Sequence, residues 1–177
     1  MMIEEEKIRN AQVIRVAEEM MTAARTAPKA RGVDNMLLAM ATGDEIELIA
    51  KKMEEIGKRP DGTPSFIRDA DNIRKAQAIV LLGTRIQSQG LKLCGRCGFP
   101  DCTEKDQHPD FPCTFNTGDL GIAIGSAVSV AMDHRVDNRV MYTIGQALLE
   151  MKFLGEEVKI AFGIPLSVSA KNPFFDR

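Results

Sequence analysis

The amino-acid sequence predicts an α/β sandwich of the α+β class, with an irregular cysteine-rich lobe inserted into it. Short, mainly apolar segments at 36–41, 78–83 and 158–166 have the length of strands, and 78–83 is a continuous apolar run, as expected for a strand buried on both faces. Segments with helical apolar spacing lie between these runs, and packing helices on a sheet buries the apolar faces of both. Residues 86–117 fit neither pattern and contain all four cysteines. We therefore expect one domain over 1–177 that carries a lobe at 86–117.

Two helices are predicted before residue 60. The first spans about 4–26, with glutamates in its first turn, and Pro28 ends it. The second is expected to begin at Thr42, because Thr42 and Glu45 have the spacing of a capping box, and to stop near Gly57.

The remaining segments are less uniform in pattern. Ser65 is expected to cap a third helix that runs through Ala76. Residues 120–132 alternate apolar and small side chains, which fits a strand, but their length and lack of breakers also fit a buried helix. Asp137 or Asn138 is expected to cap the last helix.

Composition argues against several classes of function. The chain has a net charge of −2, no Trp and one Tyr, so it offers neither a basic surface nor a stacking platform for nucleic acid. Its longest weakly polar run, 120–132, is too short to span a bilayer. The first residues lack the hydrophobic core of a secretory signal. We expect a cytoplasmic protein without nucleic-acid or membrane partners, in which thiols stay reduced.

All the cysteines lie in the segment 94–113. They are Cys94, Cys97, Cys102 and Cys113. Two thiolates two residues apart can bind one metal centre from a tight turn. Gly95 and Gly98 suit such a turn, and they leave backbone N–H groups free to approach inorganic sulfide.

Three interpretations of this segment compete. A 4Fe–4S cluster takes four thiolates and often draws three from one loop, as here. A zinc site also accepts four cysteines, but it more commonly shows two paired CxxC motifs, and this chain has one. Unliganded or disulfide-bonded cysteines are the third interpretation. We favour the iron–sulfur cluster, with zinc as the alternative.

The motif CGRCGFPDC at 94–102 resembles the CGxCGxxxC signature of the four-iron domain in the Rnf electron-transport B subunit and the corrinoid iron–sulfur protein. In that domain the fourth cysteine usually lies further downstream than Cys113 does here. His108 is therefore a second candidate for the fourth ligand, although histidine ligation is the minority pattern in such clusters.

Two other segments resemble FMN-dependent nitroreductases. The segment AARTAPKARG at 23–32 is similar to their AARxAPS segment, and 155–177 is similar to their closing strand, glycine–x–proline turn and tail, here ending in Arg177. The chain as a whole resembles a family of prokaryotic proteins containing a ferredoxin domain. This resemblance implies a nitroreductase-like fold with the cysteine lobe inserted, and a homodimer. The Arg-Ser-x-Arg and Gln-Pro-Trp segments of nitroreductases have no counterpart here.

The resemblance implies FMN as a second cofactor. Arg25, Lys29 and Arg31 are the candidates for binding its phosphate, because basic side chains in one loop suit an anion. The alternative is structural, since basic residues near the end of a helix are stabilised by the helix dipole and need no ligand.

Two functions follow from these residues. The first is an iron–sulfur redox protein that passes electrons to a partner protein, to a small-molecule acceptor or to a bound flavin, and with flavin it would be an FMN-dependent oxidoreductase. The second is a non-enzymatic binding or regulatory module in which zinc stabilises the lobe. The catalytic residues and the substrate are not indicated.

Overall fold

The computed structural model describes residues 2–175. These residues form helices and strands that follow one another as α1, β1, α2, α3, β2, α4, α5, β3, α6 and β4. The helices are α1 (Glu5–Thr26), α2 (Asp44–Gly57), α3 (Pro64–Ile73), α4 (Cys102–Asp106), α5 (Thr114–Asp133) and α6 (Tyr142–Met151). The strands are β1 (Met36–Ala41), β2 (Ala78–Arg85), β3 (Asp137–Asn138) and β4 (Val158–Ser167).

The strands form one antiparallel sheet in the order β1-β2-β4-β3. β2 lies in the middle, where Leu82 pairs with Leu38 of β1 and with Phe162 of β4. A register shift follows Thr84, so the ladder becomes irregular at the end of β2 from which the cysteine lobe departs. The three predicted strands are confirmed.

Helices cover both faces of the sheet, which gives a three-layer sandwich. Ile79 and Leu81 of β2 pack into a cluster with α2, α3 and α6, whereas Val80 and Leu82 pack into a second cluster with α1 and α5. The alternation of side chains along a strand places neighbouring residues on opposite faces. β2 is therefore apolar at consecutive positions because both of its faces are buried.

Residues 120–132 belong to α5, so the choice between strand and helix is resolved in favour of a helix. Ala123, Ala127 and Ala131 recur every four residues along its buried side and allow close packing against α1. The intervening residues that suggested a strand, such as Ile122, are partly or largely exposed.

Three of the predicted caps are wrong. α2 begins after Gly43, whose φ of 51° suits glycine, and Thr42 makes no side-chain capping bond. α3 begins at Pro64, a favoured first residue, so Ser65 lies inside the helix, and the helix ends at Ile73 rather than Ala76.

The third cap that fails is the one predicted at Asp137 or Asn138, because these residues form β3 at the edge of the sheet and do not cap α6. α6 begins only at Tyr142 and lies close to β4. A Cβ atom on Gly145 would stand 2.5 Å from the carbonyl carbon of Ala161 and 3.0 Å from the nitrogen of Phe162.

In the described range 2–175, α1 and the other helices do not combine the length and apolarity needed to cross a membrane.

Candidate metal centre

The cysteine lobe connects the end of β2 with the start of α5. It is irregular from 86 to 101, then forms the short α4, and ends at Cys113, which is the residue before α5. The lobe is therefore shorter than predicted at its far end, because 114–117 form the first turn of α5. Cys102 begins α4, where Asp101 caps the helix by accepting a hydrogen bond from the N–H of Glu104 at 2.9 Å.

Polar contacts hold the lobe against α5. The N–H of Gln87 donates to Asn116 Oδ1 at 2.8 Å, and the hydroxyl of Thr114 donates to the carbonyl oxygen of Arg96 at 3.0 Å. Both acceptor and donor side chains come from the first turn of α5. The position of the lobe is thus coupled to the helix that packs on the sheet.

The four cysteines line one cavity. Cys113 is buried and the other three are half-buried, and all four are free thiols. The empty space in this cavity, including its opening to solvent, is about 330 Å³. Across 2–175, His, Cys, Asp and Glu side chains do not form a group of three or more close enough to hold a metal ion. The fold brings the thiols to a common cavity without drawing them around a single metal position.

The backbone beside the first two cysteines has the predicted character. Gly95 has a φ of 67° and Gly98 a φ of 94°, values that side-chain-bearing residues rarely adopt. The chain can therefore turn sharply after each thiol of the CxxC motif.

The four cysteines are a donor set that suits a metal ion or an iron–sulfur cluster. Four cysteines are the usual ligands of iron–sulfur clusters and of structural zinc. Two further polar residues line the same cavity, namely Gln89, which is 4% exposed, and Lys105, which is 3% exposed. Sequence reasoning missed both, because a glutamine and a lysine in an irregular segment carry no signal of burial.

His108 stands outside this arrangement. It is exposed, and its ring stacks on Phe99 with the ring centroids 5.2 Å apart, while Phe111 packs edge-on against both. Within the described chain His108 is not among the residues that line the cavity of the cysteines. Cys113 is, which favours Cys113 over His108 as the fourth ligand.

The predicted basic loop lies at the end of α1, and all three of its cations make contacts within the chain. Lys29 Nζ donates to the carbonyl oxygens of Ala24, Arg25 and Ala27 at 2.6–2.8 Å, which places a positive charge at the C-terminus of the helix. Burial lowers the pKa of Lys29, and Asp34 opposes that effect.

Arg25 forms an ion pair with Asp34, with Nη1 and Oδ2 2.6 Å apart. Burial alone would raise the pKa of Asp34, but hydrogen bonds from Arg25 and from the N–H of Met36 outweigh it and lower the pKa. The structural alternative therefore accounts for the contacts of Lys29 and Arg25 without a ligand.

Arg31 connects this loop to the cysteine lobe. Its Nη1 donates to the carbonyl oxygen of Gln89 at 2.5 Å. The adjacent Ala30 N–H donates to both carboxylate oxygens of Asp119, at 3.0 and 3.1 Å, so α5 holds the loop from the other side. The two predicted sites are therefore neighbours in the fold. Arg177 lies outside the described residues.

Comparison with known sequences gives two matches. A protein of Archaeoglobus fulgidus without an assigned function is 40% identical over 184 residues, a match that covers 100% of this chain and 98% of the relative. The sequence profile of a family described as uncharacterised proteins containing a ferredoxin domain matches residues 110–177. That range includes Cys113 but not the other three cysteines.

Comparison with solved structures gives the fold. An oxidoreductase containing FMN matches with a TM-score of 0.59 and 12% identity, over 89% of this chain and 67% of the other. A nitroreductase family protein from Clostridium novyi NT matches with a TM-score of 0.58 and 14% identity, over 99% and 79%. An FMN-dependent nitroreductase from Clostridium difficile R20291 matches with a TM-score of 0.53 and 12% identity, over 97% and 79%. The predicted nitroreductase-like α+β fold is confirmed.

Proposed function

We propose, from the premise that this chain belongs to the family of uncharacterised proteins containing a ferredoxin domain, that it is an iron–sulfur redox protein with a nitroreductase-like fold. In this proposal the thiolates of Cys94, Cys97, Cys102 and Cys113 hold one 4Fe–4S cluster. The observation that carries it is the convergence of all four thiols on one cavity.

The chain contributes position and surroundings to this centre. A 4Fe–4S cluster bound by four thiolates supplies one-electron transfer. Cys113 is fixed by the start of α5, and Cys102 by the start of α4, so two ligands are held by helices. Cys94 and Cys97 lie on the glycine-containing turn, which can close around a bound group. The half-buried thiols leave one side of the centre near the surface, which suits electron exchange with a partner protein or a small-molecule acceptor.

A flavin-dependent oxidoreductase is the second candidate function. It is favoured by the similarity in fold to proteins described as containing or depending on FMN. In this candidate function, Arg25, Lys29 and Arg31 bind the FMN phosphate. The hydrogen bond from Arg31 to Gln89 would then bring the bound flavin close to the cysteine lobe. A phosphate at Lys29 would have to replace three carbonyl contacts. The homodimer that the resemblance to nitroreductases implies is a further proposal, which light scattering of the purified chain would test.

The experiment is metal, sulfide and flavin analysis of protein purified without air. We expect about four iron and four sulfide per chain and a brown colour that dithionite bleaches. One zinc per chain without sulfide would contradict the iron–sulfur cluster and support the alternative, a binding module with a structural zinc site. Protein without metal or sulfide would overturn both. Released FMN would establish the flavin candidate, and its absence would remove it.

A matched pair of variants connects the result with the cavity. Cys97→Ala is expected to lose most of the iron and sulfide, because one ligand is removed from a set of four. Thr103→Ala changes an exposed residue of the same lobe and should keep both. Unchanged iron and sulfide in Cys97→Ala would contradict the assignment of the ligands.

A further inference from the structure

Two buried donors line the cavity of the cysteines, and the proposed ligand set does not use them. Gln89 is 4% exposed, and its Nε2 has no hydrogen-bond partner in the range 2–175. Buried amide groups are rarely left unpaired, since each costs about 1–3 kcal/mol without a partner. Gln89 lines the cavity of the cysteines, so its unpaired N–H₂ group is available to an acceptor that binds there.

The charge of Lys105 also indicates that a negatively charged group binds in this cavity. It is 3% exposed, and the ion pair that the structure shows for it, to Asp106 Oδ1, is 3.7 Å long. Asp106 is itself largely exposed and also accepts a hydrogen bond from the hydroxyl of Ser88. A buried ammonium group needs a close negative charge. Four thiolates around an inorganic centre would supply that charge at the wall that Lys105 helps to form.

The backbone of Gln89 is held in place from outside the lobe. Arg31 donates to its carbonyl oxygen at 2.5 Å, and the loop of Arg31 is itself bonded to Asp119 of α5. The next residue, Gly90, has a φ of 66°, which turns the chain away immediately after Gln89. These contacts fix the position from which the side chain of Gln89 extends in the lining of the cavity.

We propose that Gln89 and Lys105 are positioning residues that set the reduction potential of the centre held by the four cysteines. This inference rests on the proposed iron–sulfur function. Adding one electron makes such a centre more negative. A neighbouring ammonium charge and an N–H donor both stabilise the more negative state, so they raise its potential. Lys105 should have the larger effect because it carries a full charge.

The test is a redox titration of the full-length chain with its cluster, in which dithionite supplies the electron and the reduced signal is followed by electron paramagnetic resonance. Lys105→Met keeps the length of the side chain and removes the charge. We expect it to disfavour reduction at least tenfold, a fall of about 59 mV for one electron. Gln89→Leu should shift the potential in the same direction by less. Lys92→Met, at an exposed lysine of the same lobe, should leave it unchanged.

The outcomes separate this inference from the proposed function. Iron and sulfide are measured first, and their absence from the wild-type chain would overturn the proposed function and the donor role together. A full cluster in Lys105→Met with the wild-type potential would overturn the role of Lys105 alone. If Lys105→Met does not assemble a cluster, the reduction potentials of Gln89→Leu and Lys105→Arg test the proposal instead. A wild-type potential in Lys105→Arg together with a lowered one in Gln89→Leu supports the proposal, and an unchanged potential in Gln89→Leu refutes it.

Discussion

Replacing Gly145 with alanine is expected to destabilise the protein, although alanine is the better helix former. α6 lies so close to β4 that the new Cβ would collide with the carbonyl oxygen of Ala161 and stand 2.5 Å from its carbonyl carbon. These are backbone atoms of a buried strand, which cannot rotate away as a side chain could. The helix must therefore move off the sheet.

The magnitude follows from two opposing terms. Overpacking a well-packed interior typically costs up to about 3 kcal/mol. The change from glycine to alanine inside a helix returns about 1 kcal/mol. The expected net loss is about 2 kcal/mol, which corresponds to a fall in Tm of about 6 °C for a chain of this size.

The matched control is Gly125→Ala on α5. It is also a helical glycine, but apart from its own stretch of α5 a Cβ there would meet no atom of the described chain within 4 Å. Only the gain in helix propensity remains, so we expect Tm to rise by about 3 °C. Thermal unfolding followed by circular dichroism measures both variants. An equal response of the two would show that the close approach of α6 to β4 does not limit this position, and the reasoning would be refuted.

The remaining predictions concern two carboxylates. A hydrogen bond from Arg59, opposed by burial, lowers the pKa of Glu150 in the folded protein. The ionised Glu150 therefore stabilises the fold at pH values above its unfolded pKa of about 4.3, and this stabilisation is lost as the pH falls through the lower folded value. The difference in Tm between wild type and Glu150→Gln should therefore be largest near neutral pH and vanish in acid. A difference that stays constant with pH would argue against a stabilising ion pair between Arg59 and Glu150. Asp119→Ala should lower the free energy of unfolding by about 1–3 kcal/mol in urea titrations, because the partly buried N–H of Ala30 loses its acceptor. Asp61→Ala, at an exposed turn, should change it little, and equal effects of the two would contradict the role of Asp119.

The strands were the part of the fold most fully predictable from sequence. β1, β2 and β4 are mainly apolar segments of strand length, and residues 78–82 of β2, which are buried on both faces, are apolar at every position. Residues 120–132 were not predictable, because small residues at every second position also place alanines at every fourth position. Asp137 and Asn138 were misassigned because pairing with β4 overrode their preference for a helix cap.

The candidate site was predictable in its chemistry but not in its surroundings. The spacing of the cysteines indicated that they belong together, and all four line one cavity. The burial of Lys105 depends on how the lobe folds over it, which no local pattern records. Lys29 illustrates the reverse case. Its basic character suggested a phosphate, and the structure shows it bonded to the last carbonyls of α1.

The sheet also separates two hydrophobic clusters, one on each of its faces, which we call the two compartments of the core. The lobe is joined to α5, and α5 shares its compartment with α1, whereas α2, α3 and α6 lie on the opposite side. A disturbance that starts at the thiols therefore reaches α5 and α1 directly, and it must cross the central strands before it loosens the other side. Amide protons of α2 and α6 would thus remain slow to exchange under conditions that already open the compartment next to the lobe.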